Sequence, residues 1–176
     1  MRIILTGFMG TGKTVVGQRL AERLGLAFAD LDILIQEDAG MTIPEIFASE
    51  GEAGFRRRER TLIATIANLE DLVLATGGGA ILDPENMRSL KARGLLVCLQ
   101  AEPQTILDRI GSDTHRPLLQ TSDRMARIRA LLEERAAAYS TADLVVDTNR
   151  LRVDDVVDRI VSHLPQEPAA KARHAQ

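Results

Sequence analysis

The sequence predicts an α/β fold in which helices flank a five-stranded parallel sheet, and two observations support this prediction. Five short apolar runs alternate along the chain with longer segments in which apolar residues recur at helical spacing. Most of the short runs are apolar without interruption, as expected for strands that are buried on both faces. Strands that are separated by helices favour parallel βαβ units with right-handed crossovers.

The predicted strands are residues 2–6, 27–31, 72–76, 95–100 and 144–148. The predicted helices are residues 14–24, 52–69, 85–93, 103–110, 124–139 and 153–164. In the first helix, Val16, Leu20 and Leu24 share one face because they are spaced four residues apart. A further short helix over 43–49 is expected, since Thr42 and Glu45 have capping-box spacing and Pro44 lies in the first turn.

Two regions do not follow this pattern. Residues 111–123 are polar, lie between two predicted helices, and are expected to form a mobile lid. Residues 165–176 contain two prolines and no apolar period, which predicts a disordered tail. The remaining 164 residues are the right length for a single α/β domain over 1–164.

Composition and charge exclude several classes of protein. The net charge of −3 gives no basis for binding nucleic acid or an acidic membrane. The single cysteine, Cys98, lies in an apolar run, so we expect a buried strand thiol and no disulfide within the chain. The apolar stretch near Met1 is too short for a signal peptide or a membrane span, and the expected location is the cytoplasm.

Residues 7–14 fit the phosphate-loop pattern G-x-x-x-x-G-K-[ST], between a predicted strand and a predicted helix. Glycines in such a loop let backbone N–H groups turn towards phosphates, and the following helix adds its positive dipole end. Lys13 would contact the β- and γ-phosphates, and the Thr14 hydroxyl could bind Mg²⁺. The pattern predicts nucleotide binding but does not separate a kinase from a GTPase or a motor ATPase.

Asp30 and Asp32 follow at the end of the second predicted strand. Residues two apart on a strand point to the same side, so both carboxylates can face the crevice that also holds the phosphate loop. One carboxylate could hold Mg²⁺, and the other could bind a substrate hydroxyl and accept its proton. The alternative is that one of them only caps a helix over 33–39.

Other candidate residues are arginines and glycines. Residues 56–58 are three arginines on a predicted helix, and at most one or two of them can point into a site, because successive residues lie about 100° apart. Glycines 77–79 follow a strand, and no helix is expected to start there. Three glycines in a row favour close approach of a ligand to the backbone, and a plain turn is the alternative. Arg116, in the predicted lid, could neutralise charge on transferring phosphate. Arg135 follows two glutamates on a predicted helix, and its spacing favours pairing with the acids of that helix over a place in a site.

The sequence resembles the shikimate kinase family over residues 1–164, because six motifs occur in the order and spacing of that family. They are the phosphate loop, Asp30-x-Asp32, and residues 55–57, 77–79, 116–118 and 147–149. The resemblance implies transfer of the ATP γ-phosphate to the 3-hydroxyl of shikimate, with Mg²⁺. It implies an ATP site formed by Gly10, Thr11, Gly12, Lys13, Thr14, Val15, Arg109 and Arg116. It implies a shikimate site formed by Asp32, Phe47, Phe55, Arg56, Gly77, Gly78, Gly79 and Arg135.

Within this site, the resemblance gives catalytic roles to Lys13, Asp32 and Arg116, and places the metal at Thr14 and, through water, at Asp30. Arg56 and Arg135 match the pair that binds the shikimate carboxylate, and Arg109 matches an arginine beside the adenine. The resemblance also implies a three-layer P-loop kinase fold with strand order 2-3-1-4-5, a lid, and a substrate-binding segment over about 32–60. We expect a monomer that binds neither nucleic acid nor membrane.

Three alternatives remain to be weighed. A kinase for another hydroxy acid, such as gluconate, would share the phosphate loop, but Asp32, Arg56, the three glycines and Arg135 argue against it. A GTP-dependent switch predicts an N-K-x-D signature after a late strand, and residues 147–151 read D-T-N-R-L instead. A non-catalytic scaffold is disfavoured because the lysine, the threonine and both carboxylates are present.

Overall fold

The computed structural model describes residues 1–66, 68–92, 94–111 and 117–165. The strands are β1 (Arg2–Gly7), β2 (Ala27–Asp30), β3 (Leu72–Ala75), β4 (Leu95–Gln100) and β5 (Leu144–Asp147). The helices are α1 (Lys13–Leu24), α2 (Leu31–Ala39), α3 (Ile43–Ile66), α4 (Pro84–Lys91), α5 (Pro103–Ile110), α6 (Arg124–Tyr139) and α7 (Val153–Ser162). Two short 3₁₀ helices lie at Ala80–Leu82 and Pro117–Leu119.

The five strands form one parallel sheet in the order β2-β3-β1-β4-β5, which confirms the predicted fold and strand order. The central strand β1 is buried along its whole length and pairs with β3 on one side and β4 on the other. The chain leaves β1, β2 and β3 at the same edge of the sheet, where ligands bind in open α/β folds. The phosphate loop, Asp30 and the glycine turn therefore meet at this edge.

The core lies on both faces of the sheet, because successive side chains of each strand point to opposite faces. On one face, Ile4 belongs to an apolar cluster that reaches α2, α3, α4 and α6. On the other, Ile3 and Leu5 pack with side chains of α1 and α7. Each buried leucine or isoleucine contributes about 1.5–3 kcal/mol, so both helix layers are held firmly to the sheet.

A third apolar cluster supports the site itself. Phe8 of the phosphate loop packs against Ile106 and Ile110 of α5 and Ile128 and Leu131 of α6. All five side chains are buried, Phe8 to 1% exposure. This contact anchors the phosphate loop to the helices on either side of the predicted lid.

The structure corrects several predicted boundaries. Strand β2 ends at Asp30 and helix α2 begins at Leu31, so Asp32 lies in the first turn of a helix and not on a strand. Helix α3 ends at Ile66 instead of 69, and the predicted break between its two parts is confirmed by Gly51, whose backbone (φ 68°, ψ −179°) is not helical. Helices α4 and α7 also end two residues earlier than predicted.

Among the helices that the structure describes, none combines the length and apolar character needed to cross a bilayer. Of the predicted lid over 111–123, residues 112–116 lie outside the described residues, and so does Arg116. The same holds for residues 166–176 of the predicted tail. The lid and the disordered tail stay predictions.

Candidate active site

The phosphate loop joins β1 to α1 in a conformation that depends on glycine. Gly10 and Gly12 have positive φ values of 78° and 94°, which side chains rarely allow. Lys13 folds back over the loop, and its Nζ donates to the carbonyl oxygens of Gly7 (3.0 Å) and Phe8 (2.9 Å). The Thr11 hydroxyl also donates to the Phe8 carbonyl, at 2.7 Å. The loop is thus closed on itself, with the start of α1 and the lysine beside it.

Asp30 connects this loop to the second strand. Its Oδ2 accepts a hydrogen bond of 2.7 Å from the Thr14 hydroxyl, and its Oδ1 accepts one of 3.0 Å from the backbone N–H of Asp32. Asp30 is therefore both the N-cap of α2 and the partner of Thr14, so the two interpretations of this residue are not exclusive. For Asp32 the capping alternative is wrong, because it lies inside the helix.

Thr14 and Asp30 present oxygen atoms of the kind that Mg²⁺ prefers. Mg²⁺ keeps several of its waters and takes few protein ligands, so a hydroxyl beside one carboxylate is a suitable donor set. Among the described residues, no three His, Cys, Asp or Glu side chains converge into a denser metal site. The residues present fit a magnesium ion that is shared with phosphates.

A cavity opens between the phosphate loop, α2, α3 and α6. Its polar side consists of Lys13, Asp32, Arg56, Arg135 and the backbone of Gly77, Gly78 and Gly79. Its apolar side consists of Met9, Ile43, Phe47, Phe55, Pro117 and Leu118. The rings of Phe47 and Phe55 lie 5.1 Å apart between centroids and form a tilted pair at one end. The cavity therefore combines two guanidinium groups, a carboxylate and an ammonium group with an apolar wall.

Arg56 is the one member of the arginine triplet that lines this cavity. Its Nη1 donates to Glu59 at 2.8 Å, its Nη2 donates to Glu52 at 3.3 Å, and its Cζ lies 5.2 Å from the Phe55 ring centroid. Burial opposes the charge on Arg56, but Glu59 and Glu52 outweigh it and raise the pKa of the guanidinium. Arg56 therefore stays charged although its side chain is only 25% exposed.

Arg135 approaches the same cavity from α6. Its side chain is buried to 3% exposure, and its Cζ lies 5.4 Å from the Phe8 ring centroid. It points inward and not along the outer surface of its helix, so the alternative of pairing with neighbouring acids is wrong. Arg56 and Arg135 are more than 70 residues apart in the chain, and the fold brings both to one cavity.

The glycine turn over 77–79 lies between these charged groups, and side chains on it would crowd them. A Cβ atom on Gly77 would lie 3.1 Å from Asp32 Oδ1, and one on Gly78 would lie 3.0 Å from Arg135 Nη1. On Gly79 it would lie 2.5 Å from Arg56 Nη2. The turn leads directly into the 3₁₀ helix Ala80–Leu82, so the expectation that no helix starts here is wrong.

The outer side of the phosphate loop forms a groove that adjoins the cavity and shares Met9, Lys13 and Asp32 with it. It is lined by Gly10, Gly12, Thr14, Val15, Asp30 and Arg109, among others. Arg109 donates to the Thr148 carbonyl at 2.6 Å and to the Gly10 carbonyl at 3.4 Å, and Val15 is 55% exposed. The residues predicted for the ATP site and described by the structure therefore lie on or beside one loop.

Sequence reasoning did not single out Glu59 and Tyr139 at this site. Glu59 is 1% exposed, and burial raises the pKa of its carboxyl, while Arg56 opposes the rise. Tyr139 donates to the Gly78 carbonyl at 2.8 Å. A signal did exist, because Glu59 follows Arg56 by three residues and Tyr139 follows Arg135 by four, the spacings that place side chains on one helix face.

Comparison with known proteins gives a consistent result. The sequence model of the family described as "Shikimate kinase" matches residues 9–165. The chain is 44% identical to the shikimate kinase of Pelotomaculum thermopropionicum over 164 residues, covering 93% of this chain and 95% of the relative. It is 47% identical to that of Symbiobacterium thermophilum over 169 residues, covering 94% and 97%.

Among solved structures, the shikimate kinase from Acinetobacter baumannii in complex with shikimate superposes with a TM-score of 0.89. It is 42% identical to this chain, and the match covers 92% of this chain and 90% of that one. Sequence and structure agree over nearly the whole length, which confirms the resemblance stated above. The chain belongs to the shikimate kinase family.

Proposed function

We propose that this chain transfers the γ-phosphate of ATP to the 3-hydroxyl of shikimate, giving shikimate 3-phosphate and ADP on the route to chorismate and the aromatic amino acids. The observation that carries the proposal is the cavity in which Arg56 and Arg135 face Lys13 and Asp32. Few small molecules need a paired guanidinium site for a carboxylate next to a phosphate loop. An acidic cyclic alcohol is such a molecule.

The acceptor binds through its carboxylate and its hydroxyls. Arg56 and Arg135 bind the carboxylate, since guanidinium groups make paired, charge-assisted hydrogen bonds with carboxylates. The backbone of Gly77, Gly78 and Gly79 contacts the ring hydroxyls. Phe47 and Phe55 cover the apolar side of the ring.

Asp32 binds the 3-hydroxyl and accepts its proton as the new bond to phosphorus forms. Its carboxylate lies in the first turn of α2, where the helix N-terminus favours negative charge. Lys13 and Arg116 balance the charge on the phosphoryl group during transfer. Closure of a lid over 111–123 keeps water, the competing acceptor, away from the site.

The nucleotide binds through the backbone N–H groups of Gly10, Thr11 and Gly12 and through Lys13, Thr14 and Val15. Arg109 lies beside the adenine. Thr14 would hold Mg²⁺ directly and Asp30 would hold it through water, and when bound the ion would supply positive charge to the phosphates of the nucleotide. The hydrogen bond of 2.7 Å from the Thr14 hydroxyl to Asp30 supports this proposal, because it already brings the two oxygen donors together.

Release of ADP, measured with shikimate, quinate and gluconate side by side, tests the substrate. Activity with gluconate in place of shikimate would contradict the proposal, and so would tight nucleotide binding without phosphorylation of shikimate in the presence of Mg²⁺. Because Arg56 makes a ground-state contact, Arg56→Ala is expected mainly to raise the KM for shikimate. The neighbouring Arg57→Ala is the matched control, since Arg57 is exposed and does not line the cavity.

Asp32→Asn separates the roles further, because loss of the proton acceptor mainly lowers kcat. Equal changes in KM and kcat for Arg56→Ala and Asp32→Asn would contradict the assigned roles. The cytoplasmic location and the monomeric state remain proposals. Light scattering of the purified chain tests the second of these.

A further inference from the structure

Tyr139, the last residue of α6, lies behind the cavity and does not line it. Its ring belongs to the apolar cluster of α2, α3 and α4 and is buried to 3% exposure. Its hydroxyl is the polar end of an otherwise apolar side chain, and it reaches the glycine turn, where it donates to the Gly78 carbonyl at 2.8 Å. A buried hydroxyl with one short bond to a functional turn needs a role beyond packing.

The same hydroxyl lies beside Arg135, which precedes it by one helical turn. A Cβ atom placed on Gly78 would be 3.1 Å from the Tyr139 hydroxyl and 3.0 Å from Arg135 Nη1. The two groups therefore converge on a single point of the glycine turn. The phenol donates to the turn at the point where the Arg135 guanidinium approaches it.

The protonation state of Tyr139 suits this arrangement. Burial raises the pKa of the phenol to about 12, while Arg135 works in the opposite direction. The other titratable groups that act on it are Cys98, which raises the pKa, and Arg56, which lowers it. At neutral pH the phenol keeps its proton and remains a donor.

We infer that Tyr139 is a positioning residue for the acceptor site, because its hydroxyl holds the carbonyl of Gly78 at the point where the carboxylate-binding Arg135 reaches the turn. By holding this carbonyl, Tyr139 fixes the peptide plane between Gly78 and Gly79 and hence the direction of the Gly79 N–H. Glycine has no side chain to restrict its backbone, so the turn depends on outside contacts for its conformation. The inference rests on the proposed function, since it assumes that this turn and Arg135 bind shikimate.

Tyr139→Phe keeps the ring and removes the hydrogen bond to the Gly78 carbonyl. We expect the KM for shikimate to rise about three- to tenfold, as loss of one buried hydrogen bond predicts. We expect kcat and the affinity for an ATP analogue to stay within about twofold, because Lys13 and Thr14 are not touched. Ser140→Ala is the matched control, since it removes an exposed hydroxyl from the next residue.

The chain has one tyrosine and no tryptophan, which allows a second test. Biosynthetic replacement of tyrosine with difluorotyrosine changes residue 139 alone and lowers the pKa of its phenol. The KM for shikimate of the fluorinated enzyme is then expected to rise as the phenol ionises, since a phenolate cannot donate to Gly78. The unsubstituted enzyme is expected to show no such rise in that pH range. Ionisation is followed by the absorbance of the phenolate.

The outcomes are distinguishable. If the wild-type enzyme does not phosphorylate shikimate, the proposed function is wrong. If it does, but Tyr139→Phe leaves the KM for shikimate unchanged, or lowers kcat and ATP-analogue affinity to the same extent, the inference about Tyr139 is wrong. If Tyr139→Phe does not fold, the fluorinated enzyme decides alone. A KM for shikimate that stays flat while its phenol ionises overturns the inference, and a KM that rises with ionisation supports it.

Discussion

Replacing Gly79 with alanine is expected to weaken shikimate binding while leaving the fold intact. The backbone of Gly79 (φ −102°, ψ −6°) is one that alanine adopts without strain. The new Cβ would lie 2.5 Å from Arg56 Nη2 and 3.0 Å from both Cζ and Nη1 of the same guanidinium. These distances are too short for a stable contact, so the guanidinium has to move away from the turn, which disturbs its hydrogen bond to Glu59.

The size of the effect follows from the distances. Normal contact requires the guanidinium to move by about 1 Å, which is enough to misalign a hydrogen bond. A hydrogen bond to a charged group contributes about 1.5–3 kcal/mol, or about 10- to 150-fold in affinity. We therefore expect the KM for shikimate to rise by at least about tenfold, with the KM for ATP and the melting temperature nearly unchanged.

Steady-state ADP release at varied shikimate and fixed ATP measures this effect. The decisive control is Gly79→Ala combined with Arg56→Ala, because a mutation that acts through Arg56 has no further effect once Arg56 is gone. An unchanged KM for the single variant would refute the reasoning. Full additivity in the double variant would refute it as well, since the alanine would then act by another route.

Further predictions concern the metal, the strand ends and the thiol. Asp30→Asn keeps a capping side chain but removes the charge beside Thr14, so the Mg²⁺ concentration for half-maximal activity should rise about 10- to 100-fold. Asp83→Asn, in the cap of α4, is the control and should not change this concentration. Gly7→Ala should lower the free energy of unfolding, measured in urea, by at least about 3 kcal/mol, since φ is 129° and the new Cβ would lie 2.1 Å from a β4 carbonyl oxygen. Gly25→Ala is the control and should lower it by only about 1 kcal/mol, because nothing lies within 4 Å of the new Cβ. Burial raises the pKa of Cys98 from 9.0 to about 12, so its thiol should react with a disulfide reagent only after unfolding. Because the folded-state pKa is the higher one, the stability linked to Cys98 is complete below pH 9 and is lost as the pH rises towards 12. Equal Mg²⁺ requirements for the two aspartate variants, equal costs for the two glycine variants, or rapid labelling of the native thiol would contradict the respective prediction.

Local pattern was enough for the strands, most of the helices and the phosphate loop. The five strands are short continuous apolar runs. The phosphate loop is recognised from its own glycines and Lys13, because the loop conformation and its positive charge depend on residues that are close together in the chain. The predicted boundary between β2 and α2 was wrong because two local preferences compete there. Asp32 follows an apolar strand, but the capping preference of Asp30 starts α2 earlier and takes Asp32 into the helix.

By itself, the sequence determined the fold class and the nucleotide-binding loop, because both rest on interactions between residues that are near each other in the chain. The resemblance implied that Arg56 and Arg135 act together, but only the tertiary structure showed that both side chains line one cavity and that Glu59 and Tyr139 contact the groups around it. Their helices are adjacent only after the sheet has formed and its two faces are covered. Spacing along one helix can place Glu59 beside Arg56 and Tyr139 beside Arg135, but it does not show which face of the helix is buried against distant segments.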